Sequence, residues 1–378
     1  MTDTRKLSRA RIDELVELAD ASQARRGQLA DAIRADREIA AFKPEAECRI
    51  DPRDGMPIVY SLARARRPHD TTPAKAATVE DPSAADCPVC AGKTTGILDK
   101  AAAGTGITFI NKNLFPVVYP ADGPCPEVTG EQCTATGERA CGGHYLQWTS
   151  DRHDTDLHNA SFAHVTVVLE RLATFELALL RSGTDLPKVG EDKGAALHGY
   201  VGIIKNRGHA VGGSLVHGHQ QIVHTNVRPQ RTAQHQQFME REARSFARFV
   251  LDETPRDLVI ADTGDVVAVT PFFLRRPLQA FILIKDTRKS YLHQLSRREL
   301  SQLARALRRV CGTVMETMPR IGREPAYNLV FHTGPIGGMY VEMLPWSQQY
   351  GGYEQLGLFI CQGTPESSHR LYVDGEAR

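Results

Sequence analysis

Two stretches of this chain repeat one order of elements, and that repeat constrains the fold more than any single motif. The first has an apolar strand at 145–148, Asp151, the pair Leu157-His158, a helix carrying Val168, Leu172, Phe175 and Leu179, a strand at 200–204 and an apolar run at 216–223. The second has a strand at 281–284, Asp286, Leu292-His293, a helix carrying Leu300, Leu303, Leu307, Val310 and Val314, then runs at 328–331 and 340–344. Apolar residues three and four apart mark both helices as amphipathic, and Ser296 with Glu299 forms a capping box that sets the start of the second. Two β–α–β halves packed side by side predict an α+β chain with a mostly antiparallel sheet and its helices on one face. A charged helical stretch at 7–42, with Ile12, Leu15, Val16 and Ala19 on one side, reads as an appended element, and 68–82 as a loop. The expected division is therefore a helical extension over 1–45, a first half over 46–230, and a second half over 231–378 that acts as scaffold and substrate wall.

Charge limits the partners. Forty-six basic and forty-five acidic residues among 378 leave a formal charge of +1, so no global field recruits nucleic acid or an anionic membrane. Any phosphate must be bound by local groups. The N-terminal segment MTDTRKLSRARIDEL has no secretory apolar stretch, and no run of about 18 apolar residues follows, so a cytoplasmic protein is expected. In a reducing compartment its eight cysteines are expected as metal ligands or buried apolar groups rather than a disulfide framework.

Only the first half carries closely spaced histidines, in Gly212-Gly213-Ser214-Leu215-Val216-His217-Gly218-His219-Gln220-Gln221. On a strand, His217, His219 and Gln221 share a face, which is costly unless each has a partner or a task. A neutral imidazole attacks phosphorus and yields a phosphoramidate reactive enough to transfer, which suits His219; Gln221 can hydrogen-bond a phosphate oxygen as charge shifts onto it. Gly212 and Gly213 let the backbone approach phosphates, and Ser214 offers a hydroxyl. Cys87-Pro88-Val89-Cys90 places two thiolates on a tight turn suited to tetrahedral zinc, with His153 and His217 as candidates for the remaining ligands. A zinc so held would fix the strand presenting His219 and act structurally. The arginines of Ala63-Arg64-Ala65-Arg66-Arg67 match phosphate oxygens bidentately.

Those signals coincide in one family. The segments DPRDGMPIVYSLARARRP, CPVCAGK, NKNLFPVV, TSDRHDTDL, IIKNRGHAVGGSLVHGHQQI, YNLVFHTGP and GGYEQ resemble, in order, those of galactose-1-phosphate uridylyltransferase and its nucleotide-phosphorylase relatives in the histidine-triad superfamily. The resemblance runs from about residue 48 to near the C-terminus. It implies a histidine-triad-like fold and a cytoplasmic, homodimeric nucleotidyltransferase with a covalent nucleotidyl-histidine intermediate. It also implies one structural zinc per subunit on Cys87, Cys90, His153 and His217, with His219 as nucleophile and Gln221 at the transferred phosphoryl group. Arg64 and Arg67 would contact substrate phosphates, Asn113 and Phe115 line the nucleoside pocket, Asn206 and Ser214 lie against the phosphates, and Glu354 reach the sugar. The expected activity is hexose-1-phosphate uridylyl transfer, with UDP-glucose and galactose 1-phosphate as the family's default substrates. The alternatives are an ADP-sugar or dinucleoside-polyphosphate phosphorylase and, from another class, a zinc-stabilised nucleotide-binding module without turnover, against which the intact His217-x-His219-x-Gln221 argues. Two departures stand out. Gly218 replaces the proline of the uridylyltransferases, and Tyr340 and Glu342, beside His332, stand where some members have histidines, which casts doubt on a second metal site. If the repeat is exact, Tyr340 and Glu342 take the strand positions of His217 and His219.

Overall fold

The alternating strands of both halves are satisfied by one shared sheet. In the computed structural model, residues 47–60, 84, 86–104, 106–130 and 137–374 are described; the stretches 7–42 and 68–82, with Arg64 and Arg67, lie outside them. The chain runs β1 (Glu47–Ile50), β2 (Pro57–Tyr60), β3 (Ile97–Ala103), β4 (Gly106–Lys112), β5 (Gly142–Trp148), helix α1 (Phe162–Ser182), the hairpin β6 (Lys188–Asp192) and β7 (Ala195–His198), β8 (Tyr200–Arg207) and β9 (His219–Thr225). It continues through α2 (Gln230–Glu242), α3 (Phe246–Glu253), β10 (Val259–Asp262), β11 (Val266–Val269), β12 (Ala280–Ile284), α4 (Arg297–Arg320), β13 (Tyr327–His332), β14 (Tyr340–Pro345), α5 (Gly352–Gln355), β15 (Phe359–Cys361) and α6 (Pro365–Val373).

Ten strands form the main sheet in the order β10-β11-β12-β14-β13-β8-β9-β5-β4-β3, antiparallel throughout. The halves join where β13 pairs β8, with Asn328 opposite Asn206. Both long helices begin where the sequence indicates. Ser161 accepts a hydrogen bond from the His164 N–H at the start of α1, and Ser296 and Glu299 bond each other's backbone N–H groups at the start of α4. Their apolar stripes, including Val168, Leu172, Leu303, Leu307 and Val314, bury against one sheet face with Ile203, Ile222, Leu329 and Val341. Each such side chain contributes on the order of 2 kcal/mol by leaving water.

Two long helices therefore share a face, as expected, but the shorter α2 and α3 do not join them. Phe238, Phe246, Ala247 and Val250 give that pair an apolar side of its own, which packs on the opposite face against Phe281 and Tyr340. Residues 47–60 also associate with the second half: β2 pairs β15 in parallel, and Ile58 and Tyr60 enter the same cluster.

One cysteine expectation needs correction. Cys125 and Cys141 form a disulfide, which closes a 16-residue separation that carries no sequence signature. Cys311 and Cys361 are buried free thiols, as expected of apolar fillers. Among the described residues no helix is long and apolar enough to cross a membrane.

Candidate active site and metal cluster

Strand β9 starts at His219, two residues later than the alternation of polar groups suggests, so His217 is not on it. The reason lies at Gly218. Its carbonyl accepts from the Thr149 N–H at 2.8 Å, and its α-carbon lies so close to Asp156 that a Cβ would stand 2.5 Å from the Asp156 carboxyl carbon. The chain bends just before it, at Val216 and His217, and His217 and His219 face different groups.

His217 faces the cysteines. Its Nδ1 lies 3.7 Å from Cys87 Sγ and 3.6 Å from Cys90 Sγ, and Cys90 Sγ lies 3.6 Å from His153 Nδ1. All four ligand atoms fall within 4.8 Å of one another. Two donors on a tetrahedral zinc, at about 2.3 Å for sulfur and 2.0–2.1 Å for nitrogen, are separated by about 3.6 Å, so the spacing fits. Both Nδ1 atoms point inward. His217 Nε2 bonds the Ser150 carbonyl at 2.7 Å, the kind of outer partner that fixes a ligating imidazole. The turn itself is tied by Ala91 N–H to Cys87 O and Lys93 N–H to Pro88 O.

His219 and Gln221 remain on β9 and, since Ile222 packs under the helices, both face the opposite side of the sheet. His219 Nδ1 bonds the His217 carbonyl at 2.9 Å; a carbonyl only accepts, so Nδ1 carries the hydrogen and Nε2 keeps its lone pair. Burial, reinforced by the Lys205 charge, lowers the His219 pKa to about 4, so the ring is neutral at neutral pH. Lys205 Nζ donates to the His219 carbonyl at 3.1 Å and pairs with Asp156 at 2.7 Å, all three residues buried. The backbone at His219 is thus anchored by a buried ion pair.

Gln221 has a partner that sequence reasoning missed. Val117 N–H donates to His144 Nδ1 at 3.2 Å, which leaves the hydrogen on Nε2, 3.2 Å from Gln221 Oε1. With its oxygen engaged, Gln221 directs its amide hydrogens outward, as donation to a phosphate oxygen requires. Burial keeps the His144 pKa below its usual value and the ring neutral. Asn113 Nδ2 also contacts this imidazole, and Asn113 Oδ1 accepts from the Phe115 N–H at 2.9 Å. The Phe115 ring is 82% exposed, so within one chain it covers nothing. The signal for His144 was available: extending the expected strand by one residue places it on the same face as Trp148.

Asn206 lies on the His219 face near the centre of the sheet, its Oδ1 accepting from Asn328 Nδ2 at 2.8 Å. Asn328 was also missed. The glycine loop follows: a Cβ on Gly213 would meet the Gly208 carbonyl at 2.7 Å, and Gly212 has φ 83°, so both positions need glycine. Ser214 is exposed on this loop. Glu354 is not joined to the cluster; its carboxylate accepts from Gly351 N–H at 2.7 Å and Ile360 N–H at 3.2 Å.

In the second half, Tyr340 and Glu342 share a face, the same one that carries His219. Their positions differ from the expected ones. His219 pairs opposite Trp148 and Tyr340 opposite Leu283, each three residues before an aspartate, so Tyr340 corresponds to His219 and Glu342 to Gln221. The Glu342 carboxylate is held by Arg53 at 3.0 Å, Gln279 at 2.6 Å and His332 at 2.8 Å. Arg53 is buried and also bonds Asp51. A guanidinium therefore occupies the donors that a second metal would require.

No family model matches the chain. It is 22% identical over 339 residues to ADP-glucose phosphorylase of Arabidopsis thaliana, across 85% of this chain and 90% of that protein. The structure of an ADP-glucose phosphorylase from Arabidopsis thaliana with bound ADP-glucose superposes with a TM-score of 0.67, at 17% identity, over 88% of this chain and all of that one. A GalT-like protein of the same plant gives 0.63 at 18% identity, covering 86% and 98%, and a uridylyltransferase gives 0.58 at 19%, covering 86% and 97%. The antiparallel sheet with its two long helices is the fold these proteins share.

Proposed function

From this kinship with the galactose-1-phosphate uridylyltransferase-like nucleotidyltransferases, we propose that the chain transfers a nucleoside monophosphate through a covalent intermediate on His219, with an ADP-sugar as donor and inorganic phosphate as acceptor. The observation that carries the chemistry is the free Nε2 of a neutral His219 beside a Gln221 amide oriented by His144. Nε2 attacks the α-phosphorus of the donor, and the bond to the bridging oxygen breaks with its electron pair leaving on the sugar 1-phosphate. Gln221 donates to a non-bridging oxygen as charge develops, and Asn206 and Ser214 border the same space. In the second half-reaction a phosphate oxygen attacks the same phosphorus, the P–N bond breaks, and His219 recovers its lone pair. Arg64 and Arg67 belong to this reading as phosphate contacts, and Asn113 and Phe115 as the nucleoside side of the pocket.

Cys87, Cys90, His153 and His217 would hold one zinc, which would fix the turn between β5 and α1 against the residue preceding β9. A homodimer in the cytoplasm is part of the same reading. Leu114, Phe115, Val117 and Tyr119 are 69%, 82%, 69% and 75% exposed beside Asn113, an apolar edge that a second copy would cover. The adenylyl donor is preferred because the sequence relative is an ADP-glucose phosphorylase. A uridylyl donor with a hexose 1-phosphate acceptor is the second reading, favoured by the match to a uridylyltransferase structure.

The test is incubation with ADP- and UDP-sugars labelled at the α-phosphorus, followed by isolation of the protein. An acid-labile label absent from His219→Asn is expected, discharged by inorganic phosphate in preference to galactose 1-phosphate. Unlabelled protein that nonetheless turns over, or turnover by His219→Asn, refutes the covalent route.

A further inference from the structure

A cavity of about 470 Å³ lies on the helix side of the sheet, bordered by α4, the start of α1 and the end of β10. Arg305, Arg308 and Arg309 point toward it from one flank of α4, at the spacing that makes helical neighbours. The Arg305 and Arg308 guanidiniums stand 4.9 and 4.7 Å from the ring centre of Phe162, so one aromatic side chain holds two like charges close together. At the start of α4 two other arginines are neutralised: Arg297 pairs with Glu170 and Arg298 with Asp265, each at 2.9 Å. Among the described residues, Arg305, Arg308 and Arg309 have no such partner. Asp262 at the rim is already paired with Lys285 at 2.8 Å, and Glu316 stands at the far end of the lining. His158 adds a buried Nδ1 with no hydrogen-bond partner.

Three unpaired guanidiniums converging on a concavity of ligand size call for a compact, multiply charged anion. We propose that this cavity binds a small molecule carrying a diphosphate group, at a site separate from the His219 pocket. Forked guanidiniums match phosphate oxygens better than a single carboxylate. His158 is two residues from Asp156, whose carboxylate lies against Gly218 and pairs with Lys205 under the His219 carbonyl.

Calorimetric titration of the full-length, metal-containing protein with pyrophosphate tests the proposal, at about 0.15 M salt so that surface attraction is screened. Wild type is expected to bind pyrophosphate at two sites, one of them displaced by a nucleotide sugar. Arg308→Ala/Arg309→Ala should weaken the other at least tenfold while leaving the rate of His219 labelling unchanged without added ligand. Arg308→Lys/Arg309→Lys, which keeps the charge, should weaken it less. Adenosine diphosphate binding there more tightly than pyrophosphate would identify a nucleotide as the source of the diphosphate; equal or weaker binding would identify the free anion. Identical titrations of wild type and the alanine variant, or binding only at the site that the nucleotide sugar displaces, overturn the proposal and leave the assignment of His219 untouched.

Discussion

Gly218→Ala probes the contact that separates the two histidine roles. The new methyl would stand 2.5 Å from Asp156 Cγ, 2.6 Å from Oδ1 and 2.9 Å from Cβ. Asp156 is short, 1% exposed, and held by Lys205 at 2.7 Å, the Leu157 N–H at 2.7 Å and the Thr149 hydroxyl at 3.2 Å. It cannot swing aside as the end of a long side chain would. Gly218 is not among the positive-φ glycines, so the cost is steric rather than conformational. Overpacking a filled site costs about 1–3 kcal/mol. Displacing the carboxylate adds part of its pairing energy. Although burial alone would raise it, the Lys205 and Arg207 charges and the hydrogen bonds bring the Asp156 pKa from 3.8 down to about 2, on the order of 2 kcal/mol. Burial lowers the Lys205 pKa as well, which offsets some of this gain. A net loss of about 2–4 kcal/mol follows, or, for a chain of 378 residues, a Tm fall of roughly 3–5 °C. The sign of the pH effect is fixed too. A depressed carboxyl stabilises above its unfolded pKa and loses that contribution as pH falls through the folded one, so wild type should lose more stability than the variant between about pH 4 and pH 2. Differential scanning calorimetry across pH measures both. A Gly218→Ala protein as stable as wild type, with the same acid slope, would refute the claim that Asp156 requires glycine here.

Cys87→Ser should reduce bound zinc from one equivalent to almost none and lower Tm by roughly 10 °C or more, because structural zinc binding is folding free energy; elemental analysis with calorimetry checks this, and full activity in metal-free protein would contradict it. His144→Phe should slow His219 labelling about 10–100-fold while zinc content and Tm stay near wild type, since it frees the Gln221 amide to rotate; rapid-quench labelling measures it, and an unchanged rate removes His144 from the account. Glu354→Gln should raise the KM for the sugar-bearing substrate more than it slows His219 labelling if, as the family resemblance implies, the residue reaches sugar and not phosphorus. Equal losses in both, or none, would show Glu354 to be only the backbone cap that its bonds to Gly351 and Ile360 describe.

Period-based features were legible before the structure: both long helices, the capping box at Ser296, and the strand carrying His219 and Gln221. All four residues of the metal cluster were legible, Cys87 and Cys90 by their spacing, His153 and His217 as candidates that the family resemblance supports. What sequence could not supply was register. His144 lies opposite Val223, and its bond to the diagonal neighbour Gln221 follows from that pairing alone. Asn328 reaches Asn206 because β13 adds to β8. Alternation also misled at one point: it treated His217 as a strand residue, since nothing in the sequence shows that Asp156 crowds Gly218 and ends the ladder there. The destination of residues 47–60 was hidden for a similar reason, as Arg53 finds Glu342 across 289 positions.

That last contact distinguishes the second half of a nearly symmetric sheet from the first. The two halves present corresponding positions on the same face, His219 and Gln221 in one, Tyr340 and Glu342 in the other. In the first half, among the described residues, the side-chain hydrogen bonds of the pair come from the backbone or from a neighbouring strand, so a lone pair on His219 and the amide hydrogens of Gln221 are left facing outward. In the second, Arg53 enters that face, Glu342 is held well below its ordinary pKa by that guanidinium despite complete burial, and Tyr340 lies among Phe246 and Phe281. Burial raises the Tyr340 pKa beyond physiological range, so the phenol stays neutral and makes a poor nucleophile. The charges there neutralise one another inside the protein, a closed arrangement whose disruption would leave an unpaired buried ion. Evolution of activity in the second half would need both the removal of Arg53 and a replacement for the Glu342 charge, whereas the first half needs neither.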